Sequence, residues 1–482
     1  MNIYQCKKIL HGCVIVIICT FPLPIQTHKE RDSLLFQNTQ SSVICNCTLC
    51  KELNAEHDYE IPSCTKSGIK DWTIIVYMAA DNDLRNFAVR NIKQMELVGS
   101  GVNCNILVHL DIRISGNKKI TRRYYIEKNR IIHVNANDPA TQQMDSGDPQ
   151  TLISCCKWSI SYPSRNKALI FWNHGTGAVD PERGRVLNPA ELFAFNPLTN
   201  KFDLDRSVAF LDLIEPDLRG ICWDDTTGNY LTNQKLHTAL QNICTNLLQG
   251  EKFNIIGFDA CLMSMIEVAN IIKYYADIMI GSQEVELGAG WDYTQFLAPL
   301  EQHHLSPDEL AQHIVATYGK TYSSLTNDYT LSALFMEEIE LLERNINTVA
   351  QLLLDCLKVQ KNDTVKNAIR ASRSKLACTH FDEPSYIDLH HLYFNLQKNI
   401  NSMSLTNPEK NNALLTFLKE ELAYGQELVA AIVFANTTGK NLANAQGISI
   451  YCPERRIHPS YRNLPFAKQN VWISLITQYL LP

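Results

Sequence analysis

The chain has 482 residues, of which 45% are hydrophobic and 20% are charged, a balance typical of a globular protein with two or three domains. Its formal net charge of -6 argues against a nucleic-acid partner, because proteins that bind nucleic acids are usually basic. Beyond the N-terminal region, no segment is long and apolar enough to predict a membrane span.

The N-terminus has the pattern of a secretory signal. Lys7 and Lys8 precede an apolar run over residues 9–25, which is shorter than the ~20 uninterrupted apolar residues of a membrane span and contains two prolines. We therefore expect residues 1–27 to be a cleaved signal peptide and the protein to be secreted, periplasmic or extracellular. An uncleaved N-terminal anchor is the alternative.

Residues 28–70 are polar, carry cysteines and show no clear periodicity, which predicts a linker or pro-segment. Four cysteines in this segment suit either a zinc site or two disulfides: Cys45, Cys47, Cys50 and Cys64. The C-x-C-x2-C spacing is a weak zinc pattern, and an exported protein meets an oxidising environment, so disulfides are favoured.

From residue 71 onward, apolar β-prone runs alternate with helical patterns. Buried strands are predicted at 72–80, 105–110, 167–173, 254–259 and 277–281, a hairpin at 122–134, and helices at 84–98, 151–161 and 232–248. This alternation predicts an α/β fold with a parallel sheet and right-handed crossovers. The polar residues 180–220 indicate a surface insertion. We assign residues 71–300 to one α/β domain.

Residues 301–482 form a largely helical C-terminal region with returning strands. Ser306 and Glu309 frame a capping box with Pro307 at the first helical position. Helices are predicted at 331–358, 363–377, 408–424 and 471–481, with strand-like runs at 427–435 and 446–451.

Two of the predicted strands end in reactive side chains, His174 and Cys261. Ligands and substrates gather at the carboxyl edge of parallel sheets, so these side chains are candidates for one site. We expect Cys261 to lie at the start of the following helix, where the helix N-terminus would lower the pKa of its thiol. His174 would exchange protons, and the amides of Gly175 and Cys261 would face a developing oxyanion.

Asp259 precedes Cys261 by two residues and should face the same side of an extended segment. A carboxylate disfavours a nearby thiolate, but it would select a cationic substrate side chain. Each residue also has a plain structural reading: a packed thiol for Cys261, local hydrogen bonding for His174 and a helix cap for Asp259. The sequence contains no HExxH, P-loop or G-x-S-x-G motif.

At these residues the sequence resembles the clostripain family of cysteine peptidases, within the caspase–gingipain–legumain clan. The matching runs are WTIIVYMAADNDL at 72–84, ALIFWNHGTG at 168–177, GICWDDTTGNYLT at 220–232, FNIIGFDACLMSMIEVA at 253–269, GSQEVELGAGWDY at 281–293, SYIDLHHL at 385–392 and GISIYCPE at 447–454.

The resemblance implies a caspase-like, mostly parallel sheet flanked by helices. It also implies His174 as the catalytic histidine, Cys261 as the nucleophile, and the amides of Gly175 and Cys261 as the oxyanion hole. Asp259 would form the base of the S1 pocket, which implies cleavage after Arg or Lys. Further residues that the resemblance places along the pocket and cleft are Ser282, Gln283, Glu284 and Trp291.

Two properties of some family members stay open for this chain. Calcium dependence is one: Asp224 and Asp225 are available, but no EF-hand pattern is present, so we expect no cofactor and leave calcium to be tested. Self-cleavage between 178 and 222 is the other. Its candidate basic positions are Arg183, Arg185, Lys201, Arg206 and Arg219.

The sequence therefore predicts an exported cysteine endopeptidase acting on proteins or peptides with basic residues, without nucleic-acid partners or stable membrane insertion. Two alternatives remain at this point. One is a catalytically silent binding protein on the same scaffold, and the other is a cysteine-dependent amidase for small molecules.

Overall fold

The computed structural model describes residues 68–116, 118–179, 192–206, 220–359, 363–400 and 408–481. The predicted signal peptide and the cysteine cluster lie outside the described residues, as does most of the predicted linker. Among the described helices, none combines the length and the apolar character needed to cross a bilayer.

A single large sheet organises the described part of the chain. The strands are β1 Lys70–Ala80, β2 Cys104–Ser115, β3 Lys118–Glu127, β4 Arg130–His133, β5 Ser164–Trp172, β6 Phe193–Asn196, β7 Lys201–Leu204, β8 Ile221–Asp224, β9 Asn229–Leu231, β10 Phe253–Asp259, β11 Ala276–Gly281, β12 Thr330–Phe335, β13 Tyr386–Asp388, β14 Val433–Thr438 and β15 Ser449–Tyr451. Nine of them form the sheet in the order β14-β12-β11-β10-β5-β1-β2-β3-β4, and three two-stranded sheets hold the rest.

The five central strands, from β2 to β11 in the sheet order, run parallel, whereas the strands at both margins are antiparallel. Every residue of β1 is buried, in keeping with its continuous apolar run. The carboxyl ends of β1, β5 and β10 therefore meet along one edge of the sheet.

Helices flank the sheet: α1 Arg85–Val98, α2 Pro149–Ser159, α3 Asn233–Asn242, α4 Ile266–Ile272, α5 Tyr293–Leu297, α6 Pro307–Tyr322, α7 Ile339–Val359, α8 Thr364–Arg373, α9 Leu389–Ile400, α10 Pro408–Ile432, α11 Pro465–Gln469 and α12 Trp472–Leu480. The predicted capping box is present at the start of α6, where the Ser306 hydroxyl accepts from the Glu309 amide and the Glu309 carboxylate accepts from the Ser306 amide. The predicted mostly parallel sheet flanked by helices is confirmed.

Two predictions in the C-terminal region are wrong at the level of single elements. The helix predicted at 331–358 begins only at Ile339, because residues 330–335 form β12, which pairs with β11 on one side and β14 on the other. The strand predicted at 427–435 begins only at Val433, because α10 extends to Ile432. Short apolar runs are compatible with either a helix or a strand, and pairing with neighbouring strands determined which residues of these two segments became strand.

Candidate active site

The carboxyl ends of β5 and β10 bring the two reactive segments into contact. Asp259 lies opposite Trp172 in the parallel register, and the Asn173 amide donates to the Asp259 carbonyl at 3.3 Å. A Cβ atom added at Gly175 would lie 2.4 Å from the Cys261 carbonyl oxygen, so this close approach requires glycine.

A cavity opens where these strands end, and His174, Asp259 and Cys261 all line it. The structure therefore brings these three side chains together in one cavity. The remaining lining residues are Leu84, Trp172, Asn173, Leu192, Ala260, Glu286, Leu287, Gly288 and Gly290.

His174 is held in a fixed orientation. Its Nε2 atom lies 2.7 Å from Oδ1 of Asp83, and its ring meets the indole of Trp223 edge to face at 6.0 Å between centroids. Asp83 follows the end of β1, next to β5 in the sheet. A carboxylate hydrogen-bonded to one ring nitrogen fixes the tautomer and the orientation of the ring.

Cys261 does not lie at the start of a helix, so that prediction is wrong: α4 begins at Ile266. Leu262 adopts a φ of 62°, and its amide donates to the Glu284 carbonyl at 3.2 Å, which holds the segment in a turn. Burial raises the pKa of the Cys261 thiol, while the Glu286 amide, 3.2 Å from Sγ, opposes this increase. The thiol is therefore predominantly protonated until a base removes its proton.

Asp259 lies in the cavity as a buried acid. Its carboxylate accepts from the Trp291 amide at 3.1 Å and from the Tyr293 hydroxyl at 2.9 Å. Burial nevertheless raises the pKa of Asp259 to about 7, which outweighs these two hydrogen bonds.

Three residues predicted to line the substrate cleft are buried and do not line the cavity: Ser282, Gln283 and Glu284. The Ser282 hydroxyl donates to the Glu284 carbonyl at 2.8 Å, and the Gln283 amide group donates to Asp388 at 3.0 Å. Such buried side chains with protein partners support a loop rather than receive a ligand.

The Glu284 carboxylate is fully buried and paired with Arg206, 2.7 Å away, which also reaches Asp328 at 3.1 Å. The side chain of Trp291 packs against Gly257 of β10, where an added Cβ would meet its ring at 2.9 Å. Its backbone amide, rather than its ring, serves the site by holding Asp259.

Three further residues shape the site, and local sequence patterns do not mark them as functional: Asp83, Glu286 and Tyr293. Asp83 follows the end of the central strand β1, and this position is the signal that could have identified it. Glu286 and Tyr293 lie within a run that matched the family, but the direction of their side chains could not be inferred, since residues 282–292 form no regular strand.

The acids considered for calcium have protein partners. Asp224 pairs with Lys119, and Asp225 pairs with Arg113. Across the described part of the chain, no group of three His, Cys, Asp or Glu side chains is arranged to hold a metal ion.

Comparisons with known proteins agree on the family. The family model for the clostripain family matches residues 76–188 and 208–477. Clostripain from Hathewaya histolytica is 23% identical over 479 residues, covering 87% of this chain and 81% of that protein.

Solved structures of similar fold include a secreted cysteine protease from Bacteroides thetaiotaomicron in complex with an irreversible peptide inhibitor. It is 19% identical with a TM-score of 0.53, covering 85% of this chain and 99% of that one. An inactive zymogen protease from Parabacteroides distasonis is 18% identical with a TM-score of 0.53, covering 84% of this chain and 99% of that one. The family model spans most of the sequence, and the chain belongs to the clostripain family of cysteine peptidases.

Proposed function

We propose that this cysteine peptidase cleaves peptide bonds after Arg or Lys, with Cys261 as nucleophile and His174 as the proton-transfer group. The observation that carries the proposal is that both side chains line one cavity together with the buried acid Asp259. A positively charged P1 side chain entering this cavity would meet a carboxylate rather than an apolar floor.

The proposed chemistry starts from a neutral thiol. His174 removes the Cys261 proton through Nδ1, because Nε2 is held by Asp83. The thiolate attacks the carbonyl carbon of the substrate, and the electron pair of the carbonyl moves onto its oxygen. His174 then gives its proton to the leaving amine as the C–N bond breaks, which leaves a thioester that water hydrolyses.

Two amides are available for the oxyanion. Neither the Gly175 amide nor the Cys261 amide donates to an acceptor among the described residues, and Gly175 lies against the Cys261 backbone. Buried amide donors without acceptors are uncommon and are suited to charge that develops only during reaction.

The test is a panel of matched peptides with Arg, Lys, Asp or Asn at P1. We expect cleavage after Arg and Lys, and complete loss of cleavage in Cys261→Ala. Cys244→Ala is a matched control, because Cys244 is another buried free thiol that is not part of the cavity lining. Equal cleavage by wild type and Cys261→Ala would exclude this nucleophile, and a preference for Asp or Asn would exclude the role of Asp259.

The same assay separates the alternative functions. Turnover of small amides without peptide cleavage would point to an amidase. A folded protein whose Cys261 does not react with a small alkylating agent under reducing conditions would point to a catalytically silent binding protein.

We also propose export and self-cleavage. Export is supported by the signal-like sequence of residues 1–27, and its test is N-terminal sequencing of protein recovered outside the producing cell. Retention of residue 1 on recovered protein would contradict a cleaved signal.

For self-cleavage, Lys201 and Arg206 are the less suitable of the five basic positions. Lys201 donates to the Ser323 carbonyl at 2.8 Å, and Arg206 is paired with two buried acids. Arg183, Arg185 and Arg219 lie outside the described residues. We expect mass spectrometry to find a cut between 178 and 222 that is absent in Cys261→Ala, and only intact wild type would contradict it.

A further inference from the structure

Cations and exposed leucines form a continuous surface around α8, in the C-terminal region, and we call this surface the α8 patch. Its members are Lys366, Arg370, Lys375, Arg455, Arg456, Leu376 and Leu481. None of these residues lines the cavity that contains Cys261. The α8 patch is therefore a feature of the molecule that the proposed peptidase chemistry does not use.

The cations of the α8 patch come from two segments that touch each other. The two cations within α8 are four residues apart and lie on one face of the helix. At the end of α8, the guanidinium of Arg373 donates to the Cys452 carbonyl at 3.0 Å and lies 3.8 Å from the Glu454 carboxylate. These contacts hold the following loop, which carries the two arginines of the patch, against α8.

The two leucines lie at the ends of neighbouring helices. Leu376 is in the turn that follows α8 and is fully exposed, at 102%. Leu481 follows α12 and is 47% exposed, and its carbonyl accepts from Lys366 at 2.8 Å. The Tyr479 hydroxyl of α12 donates to the Pro453 carbonyl at 2.8 Å, so all three segments are in contact. An exposed leucine of this kind gains free energy from any surface that removes it from water.

The α8 patch is positive in a chain that is negative overall. The acids beside it are Asp363, Glu383 and Glu454, of which Glu454 faces Arg373. The cations of the patch outnumber these acids, whereas the net charge of the whole chain is -6. An anionic surface would attract this side of the protein and repel the rest of it, which favours a single orientation.

We propose that the α8 patch docks on an anionic lipid bilayer, where its cations contact lipid phosphates and Leu376 and Leu481 enter the headgroup region. Basic residues around exposed aliphatic side chains suit such a surface, because electrostatic attraction and apolar burial act together. A nucleic acid would satisfy only the cations and would leave both leucines in water. The attachment is peripheral and reversible, and it does not depend on the cleavage specificity proposed above.

The test measures the partition of the full chain onto vesicles of phosphatidylcholine, with and without about 30% phosphatidylglycerol. The apolar run at residues 9–25 favours any bilayer, so the result is the ratio of the partition coefficients for anionic and neutral vesicles. Arg455→Gln combined with Arg456→Gln should lower this ratio about 25-fold, because each cation near an anionic surface contributes about 5-fold. In wild type, the ratio should fall as the ionic strength rises.

Matched controls remove similar side chains elsewhere on the surface. Lys157→Gln combined with Lys320→Gln changes two exposed cations at the ends of α2 and α6, and the ratio should stay that of wild type. Leu376→Ala should lower partition onto the anionic vesicles about 5–10-fold. Leu198→Ala removes a leucine that is 94% exposed in the turn between β6 and β7, and it should have no such effect.

A second measurement reports which part of the chain touches the lipid. Leu376→Trp places an indole in the α8 patch, and brominated phosphatidylcholine quenches indole fluorescence on contact. We expect quenching beyond that of wild type on anionic vesicles for Leu376→Trp, and none beyond wild type for Leu198→Trp.

A wild-type ratio in Arg455→Gln combined with Arg456→Gln, or equal quenching in the two tryptophan variants, would overturn the proposal. Binding of wild type to a DNA duplex, without binding to vesicles and with loss in the same arginine variant, would assign the patch to a nucleic acid and would also overturn it. All substituted side chains are exposed, so melting temperatures equal to that of wild type verify that the variants are folded.

Discussion

Two groups of buried acids lie near the carboxyl edge of the same sheet, and they differ in their partners. In the Lys119 cluster, the ammonium contacts Asp224 and lies 3.1 Å from Asp111 and 4.0 Å from Asp81. In the Asp259–Glu286 pair, no cation of the described residues is present. The first group is completed by the chain itself, which is the mark of a structural cluster. The second has no such cation, so burial favours the protonated form of each carboxyl group.

The largest effect should follow from removing the cation of the first group. Lys119→Met leaves three fully buried carboxyl groups without their ammonium, and we expect a loss of about 3–5 kcal/mol in the free energy of unfolding. Urea denaturation measures it. Glu286→Gln is the counterpart, and it should change stability by less than about 1 kcal/mol, because it removes an acid that has no cation as partner and lies against another acid. An equal loss in the free energy of unfolding for both variants would contradict the view that only the Lys119 cluster stabilises the fold.

Asp83 has a protein partner, like the acids of the Lys119 cluster, but its partner is His174. We therefore treat it as a positioning residue and expect Asp83→Asn to lower kcat about 10–100-fold, roughly 1.4–2.8 kcal/mol, with KM nearly unchanged.

A rise of about 10–100-fold in KM without a change in kcat would contradict this role. It would place Asp83 in substrate binding instead.

Arg206 extends the comparison to a third group of acids, Glu284 and Asp328. Arg206→Met should lower the free energy of unfolding by about 2 kcal/mol, less than Lys119→Met, because the Arg206 side chain is 38% exposed and water screens the interaction. The Arg-to-Lys preference should not change, since Glu284 does not line the cavity. Arg206→Lys should restore part of the stability. A changed preference at P1 would indicate that Glu284 takes part in binding the P1 side chain.

The smallest expected effect is the change in the free energy of unfolding for each pH unit. Asp259 has a folded-state pKa of about 7 against 3.8 for the ordinary group. Between these values the folded protein keeps a proton that the unfolded chain loses, so the free energy of unfolding falls as pH rises. The fall is at most about 1.4 kcal/mol per pH unit.

Asp259→Asn should remove this slope between about pH 4 and pH 7, and it should be the more stable protein at pH 8. Urea midpoints of both proteins across this range measure the difference, which includes the change in the pKa of Glu286, because Asp259 raises that pKa. Parallel curves would show that Asp259 does not titrate in this window.

The sequence by itself determined the central strands and the ends that carry His174 and Cys261. A strand buried on both faces requires an uninterrupted apolar run, and such runs mark β1, β5 and β10 whatever surrounds them. The parallel arrangement then follows from the alternation with helices. The same pattern predicts that Asp259 lies in the site, since a side chain two residues from Cys261 is on the same side of an extended segment.

Only the tertiary structure decided which acids face the cavity. Glu284 and Glu286 are two residues apart in an irregular loop, yet one is paired with Arg206 from a distant hairpin and the other faces the thiol. Cys261 lies in a turn rather than at a helix start, because its neighbour Leu262 bonds to that same loop. These placements depend on partners remote in sequence, and local patterns carry no information about such partners.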